Sequence, residues 1–272
     1  MTILVGVLCR DGAVIGADSS VTFGGGGGLS TIEQMSSDKV CIIQDEIIVA
    51  GCGSAGLCQR FEHVVEGFAS KVHSLHPVEV GMNLSRQGLQ NFQSTGAPPG
   101  AGALVAFRTG SKIKKTSLCE LDVETFQPEL KTEQLWYCSM GSGQLIVDPF
   151  LGLFRRVFWK NGQPNCQEGV FAVTWALRLA NELNSGGIGG PSRIAVLRNE
   201  PSNGEKAARF LTDDEISQHE ANCDALEEYM ARYRLEQTEA VNAPDSLAIP
   251  KVAIPAPATP VSNQPSAVVA KP

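Results

Sequence analysis

Thr2, the second residue of the chain, is a candidate nucleophile if Met1 is removed. A hydroxyl attacks poorly at neutral pH unless a base lies beside it. Removal of Met1 would leave Thr2 with its hydroxyl and a free α-amine, whose reference pKa of about 7.7–8.0 suits a general base. The small side chain after Met1 also permits that removal. Because many proteins begin Met-Thr, the alternative is that Thr2 only starts a strand.

Asp18 and Lys39 could provide the electrostatic setting that such a nucleophile needs. Asp18 follows the second of two short apolar runs, and a hairpin between them would return it toward Thr2. Lys39 begins another apolar run, where a lone lysine is costly unless paired, and Asp18 could pair with it. A cation near Thr2 would lower the pKa of the hydroxyl and keep the amine neutral. Taken singly, Asp18 could be a turn cap and Lys39 a surface lysine of an edge strand.

A glycine-rich segment over 51–56 joins a predicted strand to the first long predicted helix. Its backbone N–H groups could stabilise the oxyanion of an acyl-transfer reaction. The competing interpretation is a phosphate-binding loop, but the segment lacks the GxxxxGK[ST] pattern. A tight turn with close packing is the third possibility.

Apolar runs and helical spacings predict the elements that must position these residues. Strands are expected at 3–9, 13–17, 40–43, 47–51, 103–107, about 112–119, about 135–140 and 193–197. Helices are expected at about 57–75, 79–93, 144–159, 167–183 and 212–235. A polar loop with five consecutive glycines at 24–28 precedes Lys39. Strand pairs that alternate with helix pairs favour an α+β fold of two stacked sheets with helices outside each.

The composition changes near residue 237. Seven of the fifteen prolines lie between Pro244 and Pro272, mixed with Ala, Val and Ser. Such a segment cannot bury a core. We therefore predict one folded domain over 1–236 and a disordered tail over 237–272.

Charge and composition argue against several classes of function. The net charge of −7 disfavours nucleic-acid or anionic-membrane binding. The start of the chain does not resemble a secretory signal, and no apolar run approaches a membrane span, so we expect a cytoplasmic protein. Eight scattered cysteines without a CxxC pair suggest reduced thiols. His73 and His76 could share a helix face but have no evident third ligand, so neither a metal nor a cofactor is predicted.

Together, these residues resemble the catalytic β subunits of the proteasome family, which includes the bacterial heat-shock-locus V peptidase. The resemblance covers roughly residues 2–200 and depends on the order of the motifs. Family members have an N-terminal threonine, an aspartate in an ADSRAT-like segment and a lysine before an apolar strand. This chain has Thr2, Asp18 within ADSSVT and Lys39 within DKVCII.

The resemblance implies further site residues. It places the oxyanion-hole glycine at Gly53 and a supporting hydroxyl at Ser142, within Gly-Ser-Gly at 141–143. Glu182 and Ser185 fall in the segment that supports the threonine amine, although Glu182 stands where the family has aspartate.

The resemblance also implies a four-layer αββα sandwich, the N-terminal-nucleophile (Ntn) hydrolase fold. The implied activity is that of a threonine endopeptidase that cleaves unfolded polypeptides inside stacked rings of subunits, fed by a separate ATPase unfoldase. Two alternatives stay open. One is an amidase or acylase of the same fold that acts on small amides, and the other is a non-catalytic ring subunit.

Overall fold

The computed structural model describes residues 2–24, 30–33, 38–94, 96, 100–183, 187–202 and 204–240. The predicted tail lies outside the described residues from 241 onward, as do the loop glycines at 25–28.

Within the described residues the chain forms short strands and longer helices in alternating groups. The strands are β1 Ile3–Cys9, β2 Gly12–Ala17, β3 Val21–Gly24, β4 Ser30–Glu33, β5 Val40–Ile43, β6 Ile47–Gly53, β7 Ala101–Thr109, β8 Lys115–Leu121, β9 Pro128–Leu130, β10 Tyr137–Gly141, β11 Arg193–Arg198 and β12 Ala208–Phe210. The helices are α1 Ala55–Val72, α2 Pro77–Gln93, α3 Gln144–Phe158, α4 Cys166–Leu183 and α5 Asp213–Ala240.

Two five-stranded antiparallel sheets form the centre of the fold. The first has the order β10-β1-β2-β11-β12 and the second the order β5-β6-β7-β8-β9. Strands β1 and β2 contact β6 and β8 across the space between the sheets. Helices α3 and α4 pack on the first sheet, and α1 and α2 pack on the second. The predicted αββα sandwich is therefore confirmed.

Burial explains why the central strands read as continuous apolar runs. All seven residues of β1 and all six of β2 are buried, because the second sheet covers one face and α4 the other. Between the second sheet and its helices, the Phe126 ring meets those of Phe61 and Phe92 edge to face, with centroids 5.0 and 5.1 Å apart. The packing of the sheets and helices fixes the positions of the strand ends at one end of the sandwich.

Three features differ from the pattern that the sequence predicts. The hairpin of β3 and β4 forms where we expected only a polar loop, and β9 and β12 are short edge strands with no apolar run. Backbone pairing with a neighbour defines such strands, and side-chain periodicity does not reveal it. Helix α5 also continues through Ala240, beyond the helix end expected at about 235.

The chain divides into two compact units within α5. The first extends to Asp224 and contains both sheets, and the second begins at Ala225. No helix in the described part of the chain is both long and apolar enough to cross a membrane.

Candidate active site

Asp18 lies directly after β2 and is almost completely buried. Its Oδ1 accepts hydrogen bonds from the backbone N of Ile3 at 2.9 Å and from Nζ of Lys39 at 2.7 Å. Its Oδ2 accepts from the backbone N of Ser20 at 3.2 Å and of Gly189 at 3.4 Å. Four donors thus satisfy a carboxylate that would otherwise be costly to bury.

Lys39 precedes β5 and points its ammonium group into the protein. Its side chain is 9% exposed and that of Asp18 is 5% exposed, so the two form a buried ion pair. The Lys39 carbonyl accepts a hydrogen bond from the backbone N of Gly51 in β6, at 3.1 Å. Burial lowers the pKa of Lys39 from its ordinary value of 10.5, and the hydrogen bond and charge of Asp18 oppose that shift.

Thr2 is held at the start of β1 by the turn after β10. Strand pairing places Ile3 opposite Gly141. The backbone N of Thr2 donates to Oγ of Ser142 at 3.3 Å, and that hydroxyl donates to the Thr2 carbonyl at 3.4 Å. Because Met1 precedes Thr2, this N–H is a peptide group, and only removal of Met1 makes it an amine.

Gly141 allows the Thr2 backbone to approach so closely. Its φ of +97° favours glycine, and a Cβ there would lie 2.3 Å from the Thr2 carbonyl oxygen. The sequence places Gly141 in the Gly-Ser-Gly segment but assigns a role only to Ser142. A larger residue at 141 would displace the candidate nucleophile.

A single oxygen atom of Asp18 connects Lys39 with the start of β1. Asp18 Oδ1 binds both the Lys39 ammonium and the amide of Ile3, the residue after Thr2. The structure therefore brings Thr2, Asp18, Lys39 and Ser142 together at one end of β1. Asp18 thus links a buried ammonium to the amide that follows Thr2, an arrangement compatible with a hydroxyl nucleophile at Thr2.

Gly53 ends β6, with a φ of +95°. A Cβ at Gly53 would lie 2.3 Å from the carbonyl oxygen of Gly100, which accepts a hydrogen bond from the backbone N of Ser54 at 2.9 Å. This close passage of two backbone segments accounts for the glycine. The assignment of its N–H as an oxyanion donor stays a prediction.

Glu182 lies near the end of α4 with its side chain 54% exposed. Its Oε1 accepts a hydrogen bond from Nε of Arg178 at 2.9 Å, one helical turn away. Its described hydrogen bonds lead to Arg178 and not to Thr2. Ser185, the other residue expected in this segment, lies outside the described residues.

The loop before β11 contributes contacts that our sequence reasoning missed. Besides the Gly189 N–H on Asp18, the backbone N of Ser19 donates to the Gly189 carbonyl at 3.1 Å. The Ser19 hydroxyl donates to the carbonyl of Pro191. The run Gly-Gly-Ile-Gly-Gly-Pro over 186–191 was the available signal, since such a loop lets backbone groups approach a neighbour closely.

The described residues contain no group of three or more His, Cys, Asp or Glu side chains that could hold a metal ion. The Asp18 carboxylate at the site is already bound by four donors.

Comparison with known proteins agrees with this geometry. The family described as "Proteasome subunit" matches residues 2–153, more than half of the chain. The chain therefore belongs to the proteasome subunit family, which has the Ntn-hydrolase fold. Among curated proteins it is similar to "Proteasome subunit beta type-7" of Dictyostelium discoideum. The two are 27% identical over 220 residues, which is 76% of this chain and 74% of that protein.

The ion pair makes a prediction about the titration of Lys39. Burial lowers the pKa of Lys39 and Asp18 raises it. Asp18→Asn therefore removes the interaction that favours the charged Lys39 ammonium. In an NMR titration of the lysine side chains, we expect Lys39 to have a pKa below 10.5 in the wild type and a lower one in Asp18→Asn. Asp224→Asn, at an exposed carboxylate, is the matched control and should leave the Lys39 titration unchanged. Equal Lys39 pKa values in the wild type and in Asp18→Asn would contradict the buried ion pair.

Proposed function

We propose that this chain is a threonine-type endopeptidase subunit of a proteasome-like ring, with Thr2 as its nucleophile after removal of Met1. The observation that carries the proposal is the buried Asp18–Lys39 pair, which binds the amide that follows Thr2. Replacement of both members of a buried ion pair by apolar residues is often neutral or stabilising, so stability alone does not account for the pair. Its position beside a potential nucleophile supports a role in chemistry.

The reaction follows from the groups at the site. The Thr2 Oγ attacks the carbonyl carbon of a peptide bond while the Thr2 amine accepts the hydroxyl proton. The Gly53 N–H stabilises the oxyanion of the tetrahedral intermediate. Collapse of the intermediate breaks the C–N bond, and the amine returns the proton to the departing amine. Water then hydrolyses the Thr2 ester by the same proton path and releases the acid.

Lys39 and Asp18 prepare the nucleophile for this reaction. The Lys39 ammonium lowers the pKa of the Thr2 hydroxyl and keeps the amine neutral at working pH. Asp18 orients Lys39, and Ser142 holds the Thr2 nitrogen through its hydroxyl. Ser185 remains a proposed contact of the amine. The pairing of Glu182 with Arg178 supports a role in holding the end of α4.

Membership of the proteasome subunit family supports assembly into stacked rings that enclose the sites. Enclosure would restrict substrates to unfolded polypeptides, which a separate ATPase would deliver. This chain lacks a GxxxxGK[ST] motif, so such a motor would be another polypeptide.

Thr2 and Lys39 are tested by substitution. Thr2→Ala should abolish peptide hydrolysis, because it removes the proposed nucleophilic hydroxyl. Lys39→Ala should lower kcat/KM by about 10²–10³-fold, comparable with the loss of one electrostatic group from an active site. Lys160→Ala, at an exposed lysine between α3 and α4, is the matched control and should keep wild-type rates.

Intact mass measurement completes that test. Active enzyme should lack Met1 and should gain the mass of one electrophile that reacts with N-terminal threonine. Undiminished hydrolysis by Thr2→Ala, or active enzyme that quantitatively retains Met1, would rule out the assignment of the nucleophile.

Substitutions at Ser142 and Glu182 test separately whether each residue supports the Thr2 amine. Ser142→Ala removes one hydrogen bond to the Thr2 nitrogen and should lower kcat by about tenfold. Glu182→Gln should leave kcat near the wild-type value, because its carboxylate faces Arg178. A clear fall in kcat for Glu182→Gln, without a lower Tm, would support the supporting role that the resemblance implies for Glu182.

Assembly is tested by light scattering of the purified protein at micromolar concentration. We expect a mass many times the 28.9 kDa of one chain, since rings need several copies. A monodisperse monomer that hydrolyses small acyl-amides would instead support the amidase alternative. A ring that does not react with the electrophile would support the non-catalytic subunit.

A further inference from the structure

A cavity of about 250 Å³ lies between α4, the end of the first sheet and the start of α5. Its wall is unusually rich in groups that donate hydrogen bonds. The polar side chains that line it are Gln167, Arg198, Arg209, Glu215, Gln218 and His219. All of them belong to the compact unit that contains both sheets.

The register of β11 places this cavity away from Thr2. Arg193, at the start of β11, pairs with Ala17, next to Asp18. Arg198, at the other end, pairs with Gly12. Five residue steps along a strand span roughly 17 Å. The cavity therefore lies at the opposite end of β11 from Asp18 and is separate from the candidate active site.

Arg209 is fixed in the cavity wall by Glu215. Its Nη1 and Nη2 donate to the two carboxylate oxygens at 2.8 and 2.7 Å. The hydrogen bonds from Arg209 lower the pKa of Glu215 to about 2, so the carboxylate stays ionised at neutral pH. The pair is neutral overall, and the guanidinium keeps N–H groups that the carboxylate does not use.

Arg198 contributes a guanidinium that forms no ion pair with a described residue. Its backbone N donates to the Ala207 carbonyl at 2.9 Å, but its guanidinium has no hydrogen bond or ion pair with any residue in the described part of the chain. A guanidinium presents a planar fork of donors that suits two oxygens of one oxyanion. Its place in the wall of a cavity leaves that fork available to a ligand.

His219 is the second group without a partner. Its Nδ1 is buried and has no hydrogen bond with any described residue. Burial lowers the pKa of His219, so its ring is neutral at physiological pH and can donate one hydrogen bond. A buried polar atom without a hydrogen-bond partner calls for an explanation, and His219 belongs to the wall that a ligand would contact.

We infer that this cavity binds the phosphate group of a small molecule or of free phosphate. The Arg198 fork holds two phosphate oxygens, and the side-chain amides of Gln167 and Gln218 with the His219 ring can donate to the others. Phosphate suits the site better than a carboxylate because donors line several walls, and a carboxylate has only two oxygens to receive them.

The test is calorimetric titration of the full-length protein with inorganic phosphate and with glycerol phosphate, at an ionic strength matched with chloride. We expect a Kd below about 1 mM for at least one of the two, and the stronger ligand identifies the source. Arg198→Gln should weaken binding at least about tenfold, and Arg198→Lys, which keeps the charge but not the fork, should give an intermediate Kd. Arg156→Gln, at an exposed arginine of α3, is the matched control and should bind as the wild type does.

A second variant covers the case in which Arg198→Gln does not fold correctly. If the thermal unfolding of Arg198→Gln departs from that of the wild type, Gln218→Leu, on the exposed side of α5, should weaken binding in a folded protein. Absence of phosphate binding in the wild type, equal binding in Arg198→Gln and the wild type, or a preference for acetate over both phosphates would each overturn the inference.

Discussion

The buried pair of Asp18 and Lys39 is the interaction on which the candidate site depends. Two charges taken out of water destabilise a fold unless their hydrogen bonds are complete. Here one carboxylate receives donors from the start of β1, from the lysine before β5 and from the loop before β11. The Asp18 carboxylate thereby joins elements of both sheets at the end of the sandwich where Thr2 lies. An error in the packing of either sheet would leave a charge uncompensated, so the fold and the electrostatics of the site are coupled.

Backbone geometry positions the candidate nucleophile, Thr2, beside that pair. Thr2 is placed by the pairing of β1 with β10 and by the turn at Gly141, whose missing side chain leaves room for the Thr2 carbonyl. Ser142 then reaches the Thr2 nitrogen without a long, flexible side chain. A short hydroxyl on a rigid turn keeps its geometry better than a long side chain would, which suits the role proposed for Ser142 beside the Thr2 nitrogen.

The family comparison and the geometry support each other along the chain. The matched residues, 2–153, include Thr2, Asp18, Lys39 and Ser142, the four that the structure brings together. Glu182 and Ser185 lie beyond that match, and the ion pair of Glu182 with Arg178 draws its carboxylate to the surface of α4. The proposed phosphate cavity also lies beyond it, at the far end of β11.

The sequence by itself determined the elements whose side chains repeat locally and the site residues that carry a recognisable motif. The hairpin of β1 and β2, the paired helices and the trio Thr2, Asp18 and Lys39 were all visible as runs, spacings or short patterns. Only the tertiary structure decided which backbone groups satisfy Asp18, because Gly189 is 171 residues away. It also decided the partner of Glu182, and that β9 and β12 are strands, since an edge strand of three residues is specified by its neighbour. Periodicity records which face of a segment is buried, but hydrogen bonds and ion pairs between distant segments exist only once the sheets have packed.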